Sequence, residues 1–116
     1  MKPTQQKPAR VSFVDDSNFD DLVIGASLPT VVVFRYLATG DGLTKTLEEF
    51  SRRLSQRVVF FELDANRSPG TARRFDVISF PYAMLFSRGV IERMANERAI
   101  LDLLWHLEER FGQKDE

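Results

Sequence analysis

The chain has 116 residues, 43% hydrophobic and 28% charged, with a formal net charge of −1. That balance suits one soluble globular domain and gives no overall pull toward nucleic acid or an acidic membrane. With no cysteine and a single histidine, His106, disulfides, thiolate metal sites, thiol catalysis and multi-histidine metal centres are closed to it, and no metal or other cofactor is expected.

The opening MKPTQQKPAR (1–10) is polar and basic, with no apolar segment behind it. It reads as a flexible tail rather than a secretory leader. No apolar run approaches the roughly 20 residues of a membrane span, so a cytoplasmic protein without a membrane partner is the expectation. VSFV (11–14) is a short strand candidate. Asp15, Asp16 and Ser17 then stand where N-caps would start a short helix carrying Phe19, Leu22 and Val23, stopped near Gly25. TVVVFRYL (30–37) is a continuous β-branched and aromatic run, the pattern of a strand buried on both faces.

Leu43, Leu47, Phe50 and Leu54 recur at helical spacing. RVVFFEL (57–63) is a second buried strand, and SPGTARRF (68–75) a short helix with Ser68 as N-cap and Pro69 at its first position. YAMLFS (82–87) and VIERM (90–94) flank Arg88-Gly89 as a hairpin. Ile100, Leu103, Leu104, Leu107 and Phe111 form the stripe of a last helix ending at Gly112, followed by a short tail (113–116). The order is βαβαβαββα: one α/β domain over 11–112, a three-layer sandwich with parallel strands, a C-terminal antiparallel hairpin and helices on both sides.

YLATGDGLTKT (36–46) looks at first like a phosphate loop. The phosphate-cradling pattern needs glycine directly before the lysine, and here Leu43 and Thr44 separate Gly42 from Lys45. The element order and the segment SPGTARRFDVISFPYAMLFSRG instead resemble the thioredoxin family, from about Val11 to Phe111. The resemblance puts Pro81 on the family's cis-proline, Gly89 on its hairpin glycine, and Thr39-Gly40-Asp41-Gly42 where the family carries Cys-x-x-Cys. It also implies that Ala38 replaces a tryptophan, Val33 a buried acid that assists proton transfer, and Leu47 a helix-kinking proline. Thiol–disulfide exchange needs a thiolate and a resolving thiol. Threonine supplies neither, so the resemblance implies a degenerate active-site loop without oxidoreductase activity. That loop reads either as an Asp- or Thr-capped helix start with permissive glycines or as a ligand loop.

In thioredoxin-like proteins the residue before the cis-proline offers its backbone to an extended peptide. By resemblance, Tyr36, Leu37, Ala38, Phe80, Pro81 and Tyr82 would edge a groove for an unidentified peptide or partner protein. As an exposed anchor, Phe80 would accept Phe80→Glu at little cost in stability. Phe80 and Tyr82 can equally well just cover the end of the sheet. Leu101 and Trp105, displaced from the apolar stripe of the last helix, make a second candidate interface or pack at the core edge. The leading expectation is a redox-inactive, non-covalent binding module acting as chaperone, adaptor or assembly factor. The Phe80-Pro81 pair and the lost motif also resemble the cysteine-free thioredoxin-like accessory proteins of bacterial hydrogenase maturation. Two other readings stay open: an enzyme or small-ligand protein using the Thr39–Gly42 loop, and a structural subunit that forms a homodimer.

Overall fold

Successive side chains of a strand point to opposite faces, so a strand that is apolar throughout needs cover on both sides. The computed structural model, which describes residues 11–36 and 42–112, supplies that cover. The expected tails, 1–10 and 113–116, lie outside the described residues. Strands β1 (Val11–Phe13), β2 (Thr30–Arg35), β3 (Val59–Asp64), β4 (Tyr82–Ser87) and β5 (Val90–Ala95) form one sheet in the order β1-β3-β2-β4-β5. β1 and β2 run parallel to β3, β4 runs antiparallel to β2, and β5 antiparallel to β4. β2 lies at the centre, and all its residues are buried.

The two faces hold two cores. On one, Val31, Val33, Phe60, Ala83 and Leu85 meet helices α1 (Leu43–Arg53) and α3 (Ile100–Phe111) through Leu47, Phe50, Leu54, Leu103, Leu104 and Leu107. On the other, Val32, Phe34, Phe61, Leu63, Met84 and Phe86 meet Phe19, Val23, Ala72 and Val77, from the first helical segment and the region of α2 (Pro69–Arg74). Arg88 and Gly89 both take positive φ, 52° and 81°, the geometry that suits a two-residue hairpin between right-twisted strands. Among the described residues no helix is long and apolar enough to cross a membrane.

Two capping expectations are corrected. The first helix is a single π-helical segment, Asp20–Ile24, with Leu22 exposed, and the Asp15–Ser17 trio does not cap it. Asp15 instead closes a turn, its Oδ1 accepting from Ser17 N, Ser17 Oγ and Asn18 N. Asp16 reaches across 54 and 55 residues of sequence to α2, accepting from Gly70 N at 3.1 Å, Thr71 N at 2.7 Å and Thr71 Oγ1 at 2.6 Å. Ser68, the expected cap of α2, makes no capping bond, and its Oγ accepts from Asp16 N instead. A carboxylate from a distant loop therefore does the work assigned to the neighbouring hydroxyl. Local sequence cannot show this, because the partner is brought in by the tertiary fold.

Candidate functional site

The expected site gathers at the C-terminal end of β2. Leu37, Ala38, Thr39, Gly40 and Asp41 lie outside the described residues; Tyr36 and Gly42 bracket them. Gly42 is the N-cap of α1, with φ 80° and no side-chain capping bond. A left-handed glycine stands at this N-cap, a conformation that costs other residues strain; the expected cap from Asp41 or Thr39 lies outside the described residues. A Cβ at Gly42 would meet no atom of a described residue within 4 Å, so among those residues it is the backbone angle, not crowding, that favours glycine there.

Opposite this junction, at the head of β4, the Phe80–Pro81 peptide bond is cis. Strand alternation then divides the expected groove residues. Phe80 and Tyr82 are partly buried against the core on the α2 side, and the Phe80 ring lies 4.6 Å from that of Tyr36. Pro81 falls between them on the other side, where it lines a groove of about 280 Å³. The first turn of α1 contributes Gly42, Leu43 and Thr46 to this groove, and α3 with the turn before it contributes Glu97, Ile100, Leu101 and Leu104. Phe80 is therefore a packed ring at the sheet end, not an exposed anchor, and replacing it should cost stability.

Leu101, expected at a separate interface, belongs to the same groove as Pro81. Trp105 lies one turn further along α3, its ring edge-on to Phe50 at 5.0 Å with the Arg53 guanidinium 5.4 Å from its centroid. It packs at the core edge and still leaves half its surface to solvent.

Beneath α1 is a feature that sequence reasoning missed. Glu62 of β3 lies opposite Val33 of β2 in the sheet register. Its carboxylate accepts from Arg35 Nη1 at 3.0 Å and from Thr44 Oγ1 at 2.9 Å, and the ion-paired side chains of Arg35 and Glu62 are only 4% and 3% exposed. Thr44 Oγ1 also accepts from Arg35 Nη1 at 3.2 Å. Val33 leaves β2 without an acid, but the next strand brings one to the same level. The signal was legible: TVVVFRYL (30–37) and VVFFEL (58–63) each carry one charge inside a buried run, and the two charges are opposite.

Helices on both faces of a mixed sheet, a cis-proline at the head of one strand and a strand-to-helix junction facing it define a thioredoxin-like fold. No family model matches the chain. Thioredoxin of Mycolicibacterium smegmatis is 34% identical over 106 residues, covering 85% of this chain and 92% of that protein. Thioredoxin of Rickettsia bellii is 29% identical over 80 residues, 67% of this chain and 76% of that protein. The chloroplastic M-type thioredoxin of Pisum sativum is 28% identical over 81 residues, 68% of this chain. The chain spans about half the length of the chloroplastic relatives it matches. The chain belongs to the thioredoxin family, as a member without cysteine.

Proposed function

We propose that this chain is a redox-inactive binding module that holds an extended peptide or partner protein non-covalently, as a chaperone, adaptor or assembly factor. The observation that carries this reading is the groove between cis-Pro81, Leu43 and Leu101 in a chain with no thiol. Loss of both cysteines removes exchange chemistry but leaves a mainly apolar trough at the sheet end, with the Phe80 backbone beside it. An extended chain can add main-chain hydrogen bonds there and seat alternate side chains. A pocket for a small ligand would have convergent polar groups; this trough offers Thr46 and Glu97 among apolar neighbours. An assembly role of the kind played by hydrogenase accessory proteins would use such a surface.

The test is a titration of isotope-labelled protein with a pool of extended apolar decapeptides, followed by amide chemical shifts. Shifts centred on Gly42, Leu43, Thr46 and Leu101, and abolished by Leu101→Asp in a folded protein, are expected. Absence of shifts, or shifts confined to another face, would reject the groove.

A further inference from the structure

Where the parallel strands β1 and β3 end, the structure has a hollow of about 370 Å³, lined by Phe13, Val14, Asp15, Asp64, Arg67 and Ser68. It shares no lining residue with the Pro81 groove. Its volume falls within the range of small-molecule sites, about 300–1,000 Å³. We infer that it binds a free aromatic α-amino acid as the zwitterion, with the ammonium toward the two aspartates, the carboxylate toward Arg67 and Ser68, and the ring against Phe13.

Both signs of charge line the hollow, and the fold keeps them from closing on each other. Asp15 Oδ1 accepts from Ser17 N, Ser17 Oγ and Asn18 N, and Asp64 Oδ1 accepts from Asn66 N at 3.0 Å. Each carboxylate is thus fixed by its own turn through one oxygen, and the other oxygen has no partner among the described residues. The bonds from Ser17 and Asn18 also hold the Asp15 carboxyl below its ordinary 3.8, so it is ionised at neutral pH. Arg67 sits on the turn that Asp64 begins, its amide donating to the Asp64 carbonyl at 3.1 Å. Its guanidinium forms no ion pair with a described residue. An unpaired charge at a surface is ordinary, but two anchored carboxylates sharing one hollow with a cation are a charge pair held open.

Ser68 supplies an independent observation. It is only 2% exposed, and its Oγ accepts from Asp16 N at 3.3 Å. A hydroxyl is also a donor, and the Ser68 proton has no acceptor among the described residues. A buried donor left unmet is costly; a ligand carboxylate would meet it. The chemistry of the lining then selects the occupant. Among the described residues no group of three or more ligating side chains could hold a metal ion. A plain amine would face the Arg67 cation, and a phosphate or simple carboxylate would face two aspartates. A zwitterion satisfies both signs, and the Phe13 ring, 60% exposed, favours an aromatic side chain.

The test follows amide shifts of isotope-labelled protein on titration with L-phenylalanine and three analogues: phenethylamine lacks the carboxylate, 3-phenylpropionate the ammonium, and L-alanine the ring. L-Phenylalanine should give saturable shifts at Val14, Asp15, Arg67 and Ser68 with a Kd of about 1–10 mM, and each analogue should bind about ten-fold more weakly or worse. Arg67→Gln should remove the advantage over phenethylamine. Asp64→Asn, which keeps an acceptor for Asn66 N, should remove the advantage over 3-phenylpropionate. Arg67 is exposed and the Asp64 replacement is isosteric, so neither change should move the thermal midpoint. No saturable shifts in this hollow, equal binding of any analogue, or a preference that survives both variants overturns the inference. So do shifts centred on Gly42 and Leu101, which would make phenylalanine a ligand of the Pro81 groove instead. The two sites report through different amides, and either can fail without the other.

Discussion

Arg35→Met is the most informative single change in the buried network. It keeps the aliphatic length of the side chain but removes the guanidinium from Glu62, whose side chain is 3% exposed. The carboxylate is then left with Thr44 Oγ1, at 2.9 Å. Stranding one member of a buried ion pair costs about 3–5 kcal/mol, because the remaining charge stays desolvated. Against a total stability of about 5–15 kcal/mol for an ordinary domain, that is a large share. The double variant Arg35→Met/Glu62→Leu removes both charges. Apolar replacement of a whole buried pair ranges from neutral to about 1–4 kcal/mol stabilising, so the double variant should equal or exceed the parent. Urea unfolding followed by far-ultraviolet circular dichroism gives all three midpoints, and similar slopes would license the comparison. An Arg35→Met loss below about 1 kcal/mol, or a double variant as unstable as the sum of its parts, would refute the reasoning.

Asp16→Ala should cost about 1–2 kcal/mol, the upper part of the range for a lost helix cap, since two amides and a hydroxyl of α2 lose their acceptor. Burial pushes the Asp16 carboxyl up, but the bonds from Thr71 and Gly70 outweigh it and hold the carboxyl below its ordinary 3.8. The stabilisation is therefore full above that ordinary value and fades as pH falls through the lower folded one; in melts from pH 6 to pH 2, parent and variant should converge at the acid end. Gly89→Ala should cost about 2–3 kcal/mol in the same unfolding assay, since φ is 81° and the new Cβ would lie 2.9 Å from the Ile24 carbonyl oxygen. Thr39→Cys/Gly42→Cys should restore weak reduction of a test disulfide, limited by left-handed strain at Gly42 and by Val33 in place of an acid. A folded dithiol variant with no activity would count against the alignment of this loop with the family's motif.

The fold was legible because the central strands and the two long helices announced themselves by their own periods. TVVVFR has the pattern of a strand buried on both faces, and Leu43, Leu47, Phe50 and Leu54 recur on one helical face. What escaped depends on pairings across the sheet. Asp16 caps a helix from another loop, and Arg35 and Glu62 meet through the β2–β3 register, which no local pattern encodes. The site was legible as a place more than as a set of side chains. Pro81 and Gly42 fell on one groove, but Leu101 moved into it from an interface assumed to be elsewhere, and Phe80 turned away from it.

That last reversal follows from strand parity and yields a paired prediction. Ala83 belongs to the core on the α1–α3 side, whereas Tyr82 and Phe80 pack against the core on the α2 side. A peptide in the groove would meet Pro81 and the backbone of Phe80, never the Phe80 ring. Phe80→Glu should therefore cost about 2 kcal/mol, since a partly buried phenyl packed at a tilt against Tyr36 is replaced by a charge. Peptide affinity of the folded fraction should hardly change. Leu101→Asp, at a half-exposed helix position, should do the opposite: stability stays within about 0.5 kcal/mol, as at other surface sites, while binding is lost. Melting curves and peptide titrations on the two variants separate the effects. If Phe80→Glu proves stable but fails to bind, the ring itself faces the ligand, and the division of this strand between the two faces is wrong.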